Sequence, residues 1–139
     1  MDSLLLGLFN LVIFLAVGIF LYRTYRGTLP EPSDTELIFK ARGGGSVSLD
    51  SSSLYYHLTW PFVTIHLYSD RLLLNYGGKK VNLVYSKITE VKLLLISGVE
   101  IQHNNLNQPK TLRFGGWGNS VKIKKLIDEQ RRKIVKNDN

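Results

Sequence analysis

Residues 63–85 read Val63-Thr64-Ile65-His66-Leu67-Tyr68-Ser69-Asp70-Arg71-Leu72-Leu73-Leu74-Asn75-Tyr76-Gly77-Gly78-Lys79-Lys80-Val81-Asn82-Leu83-Val84-Tyr85. Val63, Ile65 and Leu67 alternate with Thr64, His66 and Tyr68, the two-residue period of a strand with one buried face. Leu72, Leu74 and Tyr76 repeat the pattern after a tight Ser69-Asp70 connection. Gly77-Gly78 then reads as a hairpin turn, because glycine adopts positive φ without steric cost, and Val81, Leu83 and Tyr85 resume the alternation. Three such strands in succession predict an antiparallel meander.

Working outward, strand-like runs follow at 88–96, 99–103 and 111–114, separated by Ser97-Gly98 and by 104–109. Upstream, 36–41 and 54–60 read the same way, so the domain offers about seven strands before any helix. Between those two runs, 42–53 is rich in Gly and Ser and reads as a mobile loop. Gly43-Gly44-Gly45 has no strand-then-helix setting and is a poor phosphate cradle.

The period changes at the C-terminal end. Asn119 or Ser120 can cap a helix over 119–136, in which Ile123, Leu126, Ile127 and Ile134 fall on one stripe with Gln130 between them. Its other face carries Lys122, Lys125, Arg132 and Lys136, joined by Lys124, Arg131 and Lys133. Part of that excess complements the helix dipole, and a merely solvated face is the plain alternative to a binding one.

Residues 4–22 contain no charge, and Asn10 is their one clearly polar side chain. Nineteen residues rise about 29 Å as a helix, close to the ~30 Å hydrocarbon core of a bilayer. A cleaved signal peptide needs a basic start and a small-residue cleavage site; Met1-Asp2-Ser3 is not basic and Gly18-Ile19-Phe20-Leu21 is bulky. The segment therefore reads as a single-pass transmembrane anchor. Arg23 and Arg26 follow it at once, which predicts an outside N-terminus and a cytoplasmic C-terminal domain, at the inner membrane if the source is bacterial. Asn10 can hydrogen-bond to another helix or satisfy itself on its own backbone. Three segments result: anchor and basic flank at 1–26, a Pro-containing linker at 27–35 that reaches at most about 30 Å, and a domain at 36–139.

Composition narrows the chemistry. The chain of 139 residues has a net charge of +7 and no cysteine, which excludes disulfides and thiolate chemistry. Residues 23–139 hold 18 basic and 10 acidic groups, a balance of +8 that favours anionic partners. His57, His66 and His103 show no metal-binding spacing, and nothing resembles a nucleophile elbow, a dinucleotide fingerprint or a calcium loop. No catalytic residue, metal or cofactor is expected.

Trp60-Pro61-Phe62-Val63 leading into a strand, then Ser69-Asp70-Arg71-Leu72, Tyr85-Ser86-Lys87-Ile88 and Gly98-Val99-Glu100-Ile101, resemble the bacterial pleckstrin-homology-like and GRAM-like domains of small membrane proteins. The order of elements over 36–136 also resembles that fold, a mainly-β barrel of about seven antiparallel strands capped by a C-terminal amphipathic helix. The resemblance implies a lipid-headgroup or protein-interaction module and not an enzyme. Phosphoinositide-binding members carry a basic cluster on the first hairpin, where this chain has only Lys40 and Arg42. The candidate contacts are instead Lys79 and Lys80 at the Gly77-Gly78 turn, Lys122, Lys125, Arg132 and Lys136 on the helix, and Trp117 in a glycine-rich loop. Anionic phospholipid or an acidic protein is the expected partner, and membrane attachment argues against nucleic acid. The alternative is an assembly subunit that recognises a membrane protein through Asn10.

Overall fold

The computed structural model describes residues 2–27, 35–48, 55–116 and 118–137. Most of the linker, the 49–54 connection and Trp117 therefore lie outside the described residues. Helix α1, Asp2–Gly27, contains a stretch, Leu5–Arg23, long and apolar enough to cross a membrane. Its described side chains are exposed along the whole length.

Seven strands follow: β1 Leu37–Ser48, β2 Tyr55–Tyr68, β3 Arg71–Tyr76, β4 Lys79–Val84, β5 Ile88–Leu94, β6 Gly98–His103 and β7 Thr111–Gly115. They form one antiparallel sheet in the order β4-β3-β2-β1-β7-β6-β5. The meander β2–β3–β4 is thus as the alternation predicts, with Leu72 opposite Leu67 and Leu83 opposite Leu72. The sheet stays open between its edges β4 and β5, which a 3-10 turn, Tyr85–Lys87, connects. Helix α2, Ser120–Asn137, packs on β5, β6 and that turn. Ile123 and Ile127 enter the core with Ile65, Leu83, Tyr85, Ile101 and Phe114. Tyr85 fits there because its hydroxyl donates to the Tyr68 carbonyl at 2.7 Å, which satisfies the one polar atom it buries.

Three expectations need correction. Residues 42–48 are not loop: β1 runs straight through the glycines. The runs 54–60 and 63–68 are parts of one strand, β2. And β2 buries both faces over residues 63–68, not one. The glycines explain the first. Gly43 pairs with Val63, Gly44 with Gly115, and Gly45 with both Leu58 and Phe114, so β1 is hydrogen bonded to β2 and β7 at once. A Cβ on Gly43 would run into the Gly115 carbonyl oxygen, and one on Gly45 into the Arg113 carbonyl oxygen. Composition that suggests mobility is here a requirement for close backbone approach. The second correction follows from the register: Gly43 faces Val63 and Gly45 faces Leu58, so residues 59–62 bulge out opposite Gly44. Pro61 sits in that bulge, where its missing N–H costs no ladder bond. The third reflects a central strand whose outer side chains cover one another: Tyr68 lies beneath the Arg71 guanidinium, 5.4 Å from its ring centre, and edge-on to His66.

Two substitutions test this packing. Gly43→Ala is expected to destabilise the domain by about 1–3 kcal/mol through backbone collision. Ile127→Ala is expected to cost about 2–5 kcal/mol by opening a cavity beneath α2. Denaturant unfolding of the full-length protein in detergent, followed by circular dichroism, measures both.

Candidate binding surface

The basic residues of α2 divide into two groups by what they touch. Lys124 donates to the Val91 carbonyl at 2.9 Å and to Asp128 at 2.8 Å. Arg131 donates to the Thr89 carbonyl at 2.9 Å and to Asp128 at 3.5 Å. Both satisfy backbone carbonyls of the β5 edge and so fasten the helix to the sheet. Lys122 is also engaged, its ammonium 4.6 Å from the centre of the Phe39 ring.

Lys125, Arg132 and Lys136 remain exposed, at seven- and four-residue spacing along one stripe. With Lys133 and Glu129 they line a shallow groove. Lys133 pairs with Glu129 at 3.4 Å, and the Arg132 Nε–H reaches the Asp128 carbonyl at 3.3 Å. Across the Arg132–Lys136 ridge lies a second hollow, lined by Asp128, Arg131, Arg132, Val135 and Lys136. Four cations thus surround one carboxylate in the first groove.

Lys79 and Lys80 are not part of that stripe. They open β4, on a turn whose Gly77 and Gly78 take φ of +55° and +82°. Six residues of strand, roughly 20 Å, separate Lys79 from the 3-10 turn on which α2 packs. The fold thus places these candidate contacts on two separate basic surfaces. It also reveals a polar row, with a cation at each end, that period alone missed: Arg42, Thr64, Asn75 and Lys80 stand opposite one another across β1–β4. Only the register could show it. Beside this row, partial burial and then the Arg42 charge hold the Lys40 ammonium below its ordinary pKa. Asn10 is exposed on α1.

The histidines do not converge. His57 is exposed on β2, His66 is buried on the outer face of the same strand, and His103 ends β6. Among the described residues no three His, Asp or Glu side chains could hold a metal. His103 instead pins the loop before β7: Nε2–H donates to the Pro109 carbonyl at 2.6 Å while Nδ1 accepts the Asn105 N–H at 3.2 Å. Burial lowers its pKa below the ordinary 6.5, more than the Pro109 bond raises it. Glu100, nearly buried, accepts from Gln102 at 3.0 Å and from Arg113, directly opposite on β7, at 2.7 Å. The Gln102 bond first, then the Arg113 bond and charge and the Lys92 charge, hold its carboxyl below the usual range against the opposing effect of burial.

No family model matches the chain, and no curated protein matches it. Among solved structures it is similar to the C-terminal domain of an unknown protein from Leishmania infantum, with a TM-score of 0.50 and 8% identity over 80% of this chain and 97% of that one. At that identity the likeness concerns the fold alone.

The two lowered pKa values act in the same direction over separate pH windows. An unfolded histidine binds a proton below about pH 6.5 that folded His103 resists, so stability falls as pH drops through that range. Glu100 contributes stability above the ordinary carboxylate range and loses it as pH falls through its lowered value. The melting temperature is expected to fall between about pH 7 and pH 5, a dependence H103Q flattens. E100Q is expected to lower the melting temperature at neutral pH and to weaken the further decline in acid. Thermal denaturation across pH distinguishes the two.

Proposed function

We propose that this chain is a non-enzymatic, membrane-anchored binding module of the pleckstrin-homology-like kind, whose α2 stripe docks on an acidic protein segment. The observation that carries the reading is the groove in which Lys125, Arg132, Lys133 and Lys136 surround Glu129. An acidic segment suits it better than a flat headgroup layer, because a carboxylate sits among the cations and exposed Val135 lines the neighbouring hollow. Such a mixture of charge and apolar surface complements a protein. Anionic phospholipid is the other occupant the charge admits.

Anchoring is supported by the apolar side chains exposed along α1, which water penalises at about 25 cal/mol per Å². The same length and apolarity suit a signal sequence, but the run Gly18-Ile19-Phe20-Leu21 is too bulky for a small-residue cleavage site. Arg23 and Arg26 support a cytoplasmic domain. The strand order with a single closing helix supports the pleckstrin-homology-like assignment.

A second reading, an assembly subunit recognising its partner through α1, has one observation in its favour. Leu11, Phe14, Leu15, Gly18, Ile19 and Tyr22 line a shallow groove on that helix, and Asn10 lies one turn before Phe14.

Full-length protein in phosphatidylcholine nanodiscs, titrated with a fluorescent decaglutamate peptide, tests the first reading. Binding is expected to weaken with salt and to drop at least tenfold in K125E/R132E/K136E. In discs containing phosphatidylglycerol and no peptide, hydrogen exchange in 120–137 is expected to stay unchanged; slowing confined to those discs would make lipid the occupant. Absence of both effects ends the proposal. Replacing residues 4–22 with polyleucine leaves peptide binding intact on the first reading, whereas loss of a membrane partner with that change would favour the second.

A further inference from the structure

The bulge of β2 places an aromatic side chain where the core cannot use it. Residues 59–62 stand out opposite Gly44, and Trp60 among them is 62% exposed. Its neighbours Pro61 and Phe62 are half-buried. A tryptophan this open in water is poorly placed unless another apolar phase meets it.

Two contacts show what lies beside the bulge. The Phe62 ring packs against the ring of Phe20 on α1, with centroids 5.8 Å apart and planes tilted by 56°. Phe20 precedes Arg23, the last residue of the apolar stretch, by three positions, or about 4.5 Å of helix rise. The bulge therefore sits within one turn of the end of the apolar span. On its other side the Gly77 N–H donates to the Phe62 carbonyl at 3.2 Å, and the Leu58 side chain lies over Gly77. That turn carries the exposed Lys79 and Lys80. Tyr22, Arg23 and Tyr25 on α1 are exposed at the same level of the helix.

We infer that the Trp60-Pro61-Phe62 bulge, flanked by Lys79 and Lys80, is a seat that inserts into the headgroup layer of the bilayer spanned by α1. This rests on the anchor reading of α1 and is independent of the α2 groove. Tryptophan favours that layer because its ring suits the acyl boundary and its N–H finds water or ester oxygens. The two lysines meet phosphate, so the seat holds best on anionic lipid. The interfacial layer on each side of the hydrocarbon core is about 5–7 Å deep, which matches the rise between Phe20 and Arg23. Seated this way, the domain has a fixed orientation, and Lys79 and Lys80 orient a domain that α1 already recruits.

The chain has two tryptophans, so W117F leaves Trp60 as the sole reporter. Full-length W117F in nanodiscs is compared with and without brominated phosphatidylcholine, a quencher that acts only on contact. Trp60 emission is expected to fall at least twofold, most with bromine near the headgroup, and the loss is expected to deepen when phosphatidylglycerol is added unless K79E/K80E is present. A second variant, F14W/W60F/W117F, reports on α1 itself and is expected to be quenched most by bromine deep in the acyl chain. Quenching at position 14 without quenching at position 60 overturns the seat and leaves the anchor. Quenching at neither overturns both. The chain has no cysteine, so a nitroxide on L95C reports on the almost wholly exposed Leu95-Ile96 turn. Lipid contact there with none at Trp60 would likewise overturn the proposal.

Discussion

The arrangement depends on a close approach of three backbones at Gly43-Gly44-Gly45. There β1 pairs with β2 on one edge and β7 on the other, and the missing Cβ atoms of Gly43 and Gly45 admit the carbonyl oxygens of Gly115 and Arg113. Everything on either side is attached through that strand. The meander β2–β3–β4 extends from one edge and β7–β6–β5 from the other, leaving β4 and β5 as outer strands joined only by a short turn. An open gap of that kind exposes apolar side chains, so a closing element is required. Helix α2 supplies it with Ile123 and Ile127, and Lys124 and Arg131 occupy carbonyls of the adjacent edge.

This accounts for how the positive charge is used. Net charge is a property of the whole chain, but each cation has a particular neighbour. On α2, Lys124 and Arg131 are structural, Lys122 covers Phe39, and Lys125, Arg132 and Lys136 face outward. On the sheet, Arg113 and Lys92 flank Glu100 in one row across three strands. A buried carboxylate between two cations is satisfied where an isolated one would take up a proton. Exposed cations also gather on two separate surfaces, at the α2 groove and at the β3–β4 turn, set apart by the length of β4.

That separation gives the proposed activities a geometry. The turn lies beside the bulge that touches α1 through Phe62 and Phe20. The groove lies on the helix that packs at the other end of β4. A domain seated by one surface leaves the other open to a partner, so tethering and binding do not compete for the same lysines.

Period and composition alone determined a good deal. Alternation from Val63 to Tyr85 specified the meander, three- and four-residue spacing specified α2 to within a residue of its ends, and the uncharged run at 4–22 specified the apolar helix. These signals are local: each is written in side chains a few positions apart on one element. The glycine run, the continuity of β2 across Pro61 and the split between fastening and open cations were decided by tertiary structure. Each depends on a partner remote in sequence, such as Gly115 for Gly43, Gly44 for the 59–62 bulge, and Thr89 and Val91 for Arg131 and Lys124. A glycine needed for close packing has the same local appearance as one that loosens a loop, and only the approaching backbone distinguishes them.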